Sequence, residues 1–214
     1  MAVSLEAFSA WLSGERGLPK GALLVTFDDG FMGVHDHAAP ILAAQGWPAT
    51  MFLVSGLVGG RDEWSLREHP EGKTYPLMGW PEVRALGEAG WDFGSHSVSH
   101  GDLTTLDDDA LTSQLQVSRQ AIAEALGKPV SAMAYPYGRH DDRVCAAAQA
   151  AGYSLAFSTR SGFNRAGENP LSIRRLEITG ADSPSALLRK IRLGSNDGSL
   201  AGMARYYASR ILAR

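Results

Sequence analysis

The feature that most constrains this fold is a regular alternation between short apolar runs and segments of helical periodicity. Runs rich in Val, Leu, Phe and Ala end in a turn and lead into segments with apolar residues every three or four positions. The predicted strands cover residues 22–27, 49–54, 91–95, 130–135, 153–158 and 173–178. The predicted helices cover residues 31–45, 81–89, 105–126, 143–151, 184–192 and 199–213. This alternation predicts an α/β fold with a parallel sheet, closed or nearly closed into a barrel. In such barrels the chemistry collects on loops at the carboxyl ends of the strands.

Composition limits the class of protein. A chain of 214 residues predicts a single domain, residues 1–214. Its 44% hydrophobic and 20% charged residues are typical of a soluble globular protein, and a net charge of -3 gives no electrostatic case for nucleic-acid binding. The single cysteine, Cys145, excludes an internal disulfide framework. Because Glu6 interrupts the apolar N-terminus and no run reaches the roughly 18 apolar residues of a membrane span, the sequence predicts a cytoplasmic protein without a signal peptide.

The first of three polar motifs at predicted strand ends is Thr26-Phe27-Asp28-Asp29-Gly30. Two carboxylates just past a buried strand are costly to desolvate unless a cation or hydrogen-bond donors receive them. Gly30 permits a tight turn that would bring both carboxylates toward one point. The alternative is a turn in which one aspartate caps the following helix.

The second motif is His96-Ser97-Val98-Ser99-His100. Histidines four apart on a helical face can present two imidazoles to one metal ion, although this spacing also arises by chance. An aspartate with two histidines and an open position is typical of a catalytic zinc site. A closed structural zinc site usually contains thiolates, and the lone cysteine argues against one.

The third motif is Ala134-Tyr135-Pro136-Tyr137-Gly138, again at the end of a predicted strand. Pro136 and Gly138 fix a rigid bend that could aim a backbone N–H at the site. A strand that simply ends in an aromatic turn explains the same residues equally well.

In this order and spacing, TFDDG, HSVSH and AYPYG resemble the first three motifs of the polysaccharide deacetylase family, the NodB-homology group of carbohydrate esterase family 4. The resemblance runs from about Leu23 to Ile178. It implies a distorted (β/α)7 barrel, with a core at about residues 22–180 and a C-terminal helical extension at about 184–214.

The resemblance also implies a role for each motif residue. Asp28 would be the general base, while Asp29, His96 and His100 would hold a divalent metal ion, usually zinc. The backbone N–H of Tyr137 would help to form the oxyanion site.

Two departures from the family pattern weaken this transfer of roles. Many relatives begin the third motif with an arginine that orients the base, but Ala134 occupies that position here. Their late Leu-x-His motif supplies a general acid, whereas this chain has Leu176-Glu177-Ile178. The candidates to orient Asp28 are Arg139, Arg174 and Arg175. His140 is the one unassigned histidine close to a motif, and Asp141 beside it is well placed to cap a helix, so we expect His140 to lie at the mouth or surface without a catalytic role.

Aromatic residues supply the candidates for substrate contact. Trp64 and Tyr75 lie in the long polar segment 55–79, where a sugar-stacking role and plain packing are both open. Tyr135 and Pro136 of the third motif are further candidates to line the site.

Together these features predict a metal-dependent hydrolase that removes N-acetyl groups from N-acetylhexosamine residues of a polysaccharide or oligosaccharide. The AYPYG form resembles members that act on exopolysaccharides. One alternative is a relative acting on another acylated amide or on a lipid-linked sugar. Another is a non-catalytic carbohydrate-binding relative, which the missing arginine and histidine favour and the retained Asp28 and metal triad oppose.

The C-terminal segment is basic and its apolar residues recur at near-helical spacing. The basic residues face one acidic residue, Asp197, after Pro184; they are Arg189, Lys190, Arg192, Arg205, Arg210 and Arg214. The apolar residues are Leu200, Met203, Tyr206, Tyr207 and Ile211. Such a helix could lie on an anionic membrane surface. The pattern fits better a final helix that packs on the barrel with its basic residues in water.

Overall fold

A five-stranded, all-parallel sheet forms the centre of the fold. The structure is a computed structural model that describes residues 1–212, without the side chains of residues 68 and 209–212. The strands are β1 (Thr26–Phe27), β2 (Thr50–Leu53), β3 (Asp92–Ser95), β4 (Ala132–Ala134) and β5 (Leu155–Phe157), in the order β1-β2-β3-β4-β5. Parallel bridges from Ala2 to Leu23 and from Phe157 to Ile173 extend its two edges. The sheet is a curled half-barrel, consistent with the predicted distorted (β/α) barrel.

Helices alternate with the strands as the periodicity predicts, and the short helices Leu5–Leu12 and Ser65–Glu68 were not predicted. They are α1 (Leu5–Leu12), α2 (Ala39–Ala44), α3 (Ser65–Glu68), α4 (Trp80–Glu88), α5 (Asp108–Leu126), α6 (Asp142–Ala150), α7 (Pro184–Leu193) and α8 (Leu200–Leu212). The caps follow the sequence closely: the side chain of Asp107 accepts a hydrogen bond at the start of α5, and left-handed Gly127 ends it. Within the described residues, no helix is both long and apolar enough to cross a bilayer.

The two faces of the sheet bury different partners. On one face, Met51, Phe93 and Met133 pack in a cluster with residues of α4, α5 and α6. On the other face, Phe52 and Phe157 pack in a cluster with residues of α1. Alternation along β2 explains the division, because successive side chains of a strand point to opposite faces. The buried core therefore begins before residue 22, the boundary expected from the sequence.

Several predicted elements differ from the structure. The strand predicted at 173–178 is reduced to the single bridge at Ile173, because the chain then leaves the sheet edge and Arg175 N–H donates to the carbonyl of Arg160. The helix predicted at 31–45 begins with a π-helical turn, Val34–Ala38, before α2. The remaining strands are shorter than predicted by one to several residues at their ends.

The C-terminal extension carries fewer unpaired charges than its sequence indicates. Lys190 is buried and pairs with Asp182, and Arg205 pairs with Asp197. Leu200 and Tyr207 of α8 are exposed. Ala213 and Arg214, and the side chains of Arg210 and Ile211, lie outside the described part of the chain.

Candidate active site

A tight turn directly after β1 brings both aspartates of the first motif toward one point. The N–H of Gly30 donates to the carbonyl of Asp28 at 2.9 Å, and Asp29 between them has a φ of 73°. Gly30 is also left-handed, and a Cβ there would lie 2.9 Å from Cδ2 of Leu53, so the position favours glycine. Neither aspartate caps a helix, since the following turn has no side-chain cap.

The two histidines of the second motif converge without a helix. Residues 97–99 form a turn after β3, and Ser97 and His100 have left-handed φ angles of 66° and 56°. His96 Nε2 lies 3.6 Å and His100 Nε2 lies 3.3 Å from Oδ1 of Asp29. The expectation of a shared helical face is therefore wrong, because backbone reversal rather than helical spacing brings these rings together.

The hydrogen bonding of His96 determines its tautomer. Its Nδ1 lies 2.7 Å from the carbonyl oxygen of Ala134, and the ring is buried. A carbonyl oxygen can only accept, so Nδ1 carries the proton and donates it. Nε2 then keeps its lone pair and faces Asp29, which is the arrangement that a metal-ligating histidine requires.

The donor set of Asp29, His96 and His100 fits a divalent metal ion. One ligand atom from each residue lies within 4.8 Å of the others. Oδ1 of Asp29 is buried and accepts no hydrogen bond within the described residues, and Nδ1 of His100 is likewise unpartnered. A buried oxygen without a donor is costly, and a cation between the three side chains would satisfy it.

The protonation states also suit metal binding. Burial, with the charge of Asp28 adding to it and that of His96 opposing it, raises the pKa of Asp29 to about 6. Burial, with the charge of His96, lowers the pKa of His100 to about 3. At neutral pH Asp29 is mainly ionised and His100 is neutral, and these are the forms that bind metal ions.

Side chains of helix α5 hold the backbone of the histidine turn, residues 96–100, through hydrogen bonds. Oε1 of Gln114 accepts hydrogen bonds from the N–H groups of Val98 and Ser99 at 3.0 and 3.1 Å. The buried hydroxyl of Ser118 donates to the carbonyl of Ser97, and the hydroxyl of Ser95 lies 2.7 Å from the Ser118 hydroxyl. These polar residues of α5 were missed in the sequence, where they differ little from other polar helix residues.

Asp28 is paired with Arg175, one of the three candidate arginines. Nη1 and Nη2 of Arg175 lie 2.6 and 2.8 Å from Oδ1 and Oδ2 of Asp28, a two-pronged ion pair. Burial alone would raise the pKa of Asp28, but the charge of Arg175, helped by His96, holds it below its usual value. Arg139 instead pairs with Asp102, and Arg174 is exposed.

The third motif places Tyr137 beside the histidines. Tyr137 has a left-handed φ of 58°, and its ring packs edge-on against His100 with the centroids 4.7 Å apart. Gly138 is also left-handed, and a Cβ there would clash with the backbone of Thr159.

Two expected substrate contacts in this motif are wrong. The side chain of Tyr135 is fully buried, and its hydroxyl donates to the carbonyl of Leu171. Pro136 is buried in the turn. Because both side chains are buried, neither is accessible to a glycan.

The segment 55–79 packs against the site. The ring of Trp64 stacks on His100 at a centroid distance of 4.6 Å and is only 5% exposed, so it packs and is not available for sugar stacking. Tyr75 is 59% exposed and its ring lies nearly perpendicular to that of Phe31, so part of its surface is accessible to a ligand.

His140 does not reach this site. Its Nδ1 donates to the carbonyl of Gly138 at 2.9 Å, and its Nε2 lies 3.0 Å from the hydroxyl of Ser172. Its ring stacks on buried Tyr135. Both nitrogens are engaged in holding the third motif to the segment before Ile173, so the absence of a catalytic role stays a prediction.

Backbone strain marks the same residues. In residues 1–212, the non-glycine residues with positive φ are Asp29, Ser97, His100 and Tyr137. Each such conformation costs free energy, on the order of 1 kcal/mol or more, and strain of this kind concentrates at functional sites. All four lie in the three motifs, one independent sign that the motifs form one site.

Comparison with known proteins agrees with this geometry. Residues 15–156 match the family model described as polysaccharide deacetylase. The polysaccharide-deacetylase-family protein YxkH of Bacillus subtilis is 22% identical over 83% of this chain, and the chain spans 59% of that relative's length. Poly-beta-1,6-N-acetyl-D-glucosamine N-deacetylase of Staphylococcus epidermidis is 27% identical over a region that covers 61% of this chain and 46% of that relative's length. Among solved structures, the Streptococcus pyogenes deacetylase PplD in complex with acetate aligns with a TM-score of 0.77 and 27% identity, covering 89% of this chain and 79% of its own.

Proposed function

Because this chain belongs to the polysaccharide deacetylase family, we propose that it hydrolyses the N-acetyl amide of N-acetylhexosamine residues in a glycan and releases acetate. One observation carries the proposal: Asp28 lies against a three-residue donor set for a metal ion at the carboxyl end of the sheet. Amide hydrolysis needs a base for water, a charge to stabilise the oxyanion and a proton for the amine, and this arrangement supplies the first two.

The residues would divide the reaction as follows. Asp29, His96 and His100 would hold a divalent metal ion, which we propose is zinc. When bound there, this ion supplies a Lewis acid that polarises the amide carbonyl and lowers the pKa of water. Asp28 would accept the proton of the attacking water, and the backbone N–H of Tyr137 would donate to the oxyanion.

Asp28 would also return the proton to the departing amine. His140 is engaged elsewhere, and the late motif has Ile178 where relatives carry a histidine. Within the described residues, the histidine paired with Asp28 is His96, itself a candidate metal ligand. The carboxyl group that took the proton from water is then the acid nearest to the bond that breaks. A single group performing both transfers favours a slower enzyme than relatives with a separate acid.

For the substrate we propose an exopolysaccharide containing N-acetylglucosamine. The Staphylococcus epidermidis relative acts, by its name, on poly-β-1,6-N-acetyl-D-glucosamine. The PplD structure contains acetate, the product expected of a deacetylase. These similarities support the substrate class.

The test is acetate release alongside metal content. Purified protein, stripped with a chelator and reloaded separately with zinc, cobalt or nickel, is incubated with β-1,6-linked and β-1,4-linked N-acetylglucosamine oligomers and with peptidoglycan fragments. We expect metal-dependent acetate release, highest for the β-1,6-linked oligomers. Binding of these oligomers with no acetate from any of them would favour the non-catalytic alternative. The same assay on a lipid-linked N-acetylhexosamine and on a small acylated amide tests the other alternative, which acetate release from one of these alone would support.

A further inference from the structure

The pair between Asp28 and Arg175 stands where the family pattern expects a different arginine. Position 134, where many relatives carry an arginine that orients the base, is a buried alanine here. Ala134 packs in the same cluster as Phe52, on the face of the sheet that α1 covers. The guanidinium of Arg175 lies over the Phe52 ring, 5.8 Å from its centroid. Phe52 therefore links the two positions, because Ala134 packs in its cluster and the guanidinium of Arg175 lies over its ring.

Arg175 contacts more than Asp28. Its Nε donates to the carbonyl of Ser158 at 2.9 Å, at the end of β5, and its Nη1 lies 3.4 Å from the hydroxyl of Thr26. The guanidinium thus bridges the carboxyl ends of β5 and β1, the first and last strands of the sheet. Its side chain is 14% exposed and that of Asp28 is 28% exposed, so water screens this pair only partly.

Beyond the bridge at Ile173, the backbone that carries Arg175 is held by the hydrogen bond from its N–H to the carbonyl of Arg160 and by side chains on both sides. After the bridge at Ile173, Asn164 accepts from the N–H of Arg174 and donates to its carbonyl, both at 2.9 Å. On the other side, Oδ1 of Asn196 accepts from the N–H of Glu177 at 2.9 Å, and Lys190 donates to the carbonyl of Glu177. The side-chain amides of Asn164 and of Asn196, which lies in the C-terminal extension, thus hold the backbone on both sides of Arg175.

We propose that Arg175 is the positioning residue for Asp28, in place of the arginine absent at position 134, and that Asn164 and Asn196 hold Arg175 for this task. The proposal rests on the proposed role of Asp28 as the base. A two-pronged pair fixes the rotation of the carboxylate, which a single hydrogen bond would leave free. Asp28 can then present one oxygen toward the candidate metal ligands, where Oδ2 lies 3.9 Å from Nε2 of His96.

The first experiment compares Arg175→Met, Arg175→Lys and the control Arg174→Met, each loaded with metal. We expect Arg175→Met to lower kcat by roughly a hundredfold with KM changed by less than about threefold, because the change affects the base and not glycan binding. Arg175→Lys keeps the charge but loses the two-pronged geometry and should be intermediate. Arg174→Met should match the parent protein. A normal kcat with a raised KM in Arg175→Met would make Arg175 a substrate-binding residue and overturn the proposal.

A second experiment tests whether the effects of Asn164 and Asn196 on kcat depend on Arg175. We expect Asn164→Ala and Asn196→Ala each to lower kcat about threefold in the parent chain and to have no further effect beside Arg175→Met. Equal effects in both backgrounds would show that the asparagines stabilise the fold without acting through Arg175.

A readout independent of activity separates this proposal from the proposed function. In metal-loaded crystals of the parent and of Arg175→Met, we expect one conformer of Asp28 in the parent and a rotated or divided carboxylate in the variant, with equal metal content by elemental analysis. Asp28 unchanged in the variant would overturn the positioning role even if the enzyme is active. Absence of acetate release by the parent protein would overturn the proposed function, while the crystallographic comparison would still test Arg175.

Discussion

The two halves of the candidate site are held in place by different means. The half that carries His96 and His100 is a five-residue turn, and side chains of the adjacent helix α5 fix its backbone. The half that carries Asp28 depends on Arg175, which lies 147 positions away along the chain. The position of the histidines is determined by a short motif and the adjacent helix, whereas the position of Asp28 depends on a contact between opposite edges of the sheet. We expect metal affinity and proton transfer to respond to different substitutions.

The largest effect should follow loss of the ligand shared by both histidines. Asp29→Ala removes the carboxylate that faces His96 and His100, so we expect loss of bound metal and a fall in kcat of roughly a thousandfold or more. Elemental analysis and acetate release measure the two effects, with Asp36→Ala as a control at an exposed carboxylate. Full metal content in Asp29→Ala would remove this residue from the metal site.

The next effect should separate the two halves. Asp28→Asn keeps the size of the side chain but removes the base. We therefore expect kcat to fall by roughly a hundredfold or more, with most of the metal retained. The same two assays apply. If Asp28→Asn and Asp29→Ala lose equal amounts of metal, the division of the site between metal binding and proton transfer is wrong.

A smaller effect should arise from the support of the histidine turn. Gln114→Ala leaves two backbone N–H groups without their acceptor, and we expect about tenfold weaker metal affinity. The free energy of unfolding of the metal-free protein should fall by about 1–3 kcal/mol. Competition with a chelator and urea denaturation measure these quantities. Gln120→Ala, on the exposed side of the same helix, is the matched control, and an equal loss of affinity there would refute a specific role for Gln114.

The smallest effect should come from His140. Because both of its ring nitrogens are engaged away from the site, we expect His140→Ala to change kcat by less than about threefold and to leave the pH–rate profile in place. Kinetics across the pH range, with metal content measured on the same samples, test this. A large rate loss with the metal retained, and a displaced limb near neutral pH, would make His140 the general acid.

The sequence predicted the parallel α/β fold and the motifs because both depend on local patterns. Apolar runs and helical periodicity repeat within a few residues, and Asp28, Asp29, His96 and His100 lie in motifs of five residues each. The same local reading was wrong where tertiary context intervened. Tyr135 and Trp64 look like exposed aromatic residues of a binding loop, but packing against the sheet and against His100 buries them.

The sequence by itself therefore determined which strands end in polar motifs and which residue types those motifs offer. Only the tertiary structure decided how they meet: it replaced a helical histidine pair by a left-handed turn, and it selected Arg175 over Arg139 and Arg174 as the partner of Asp28. The physical reason is the separation along the chain over which each interaction acts. Periodicity and turn chemistry act between residues that are close in sequence. The pairing of a carboxylate with one arginine among several depends on which side chains the fold brings within hydrogen-bonding distance, about 3 Å between heavy atoms, and no local pattern records that distance.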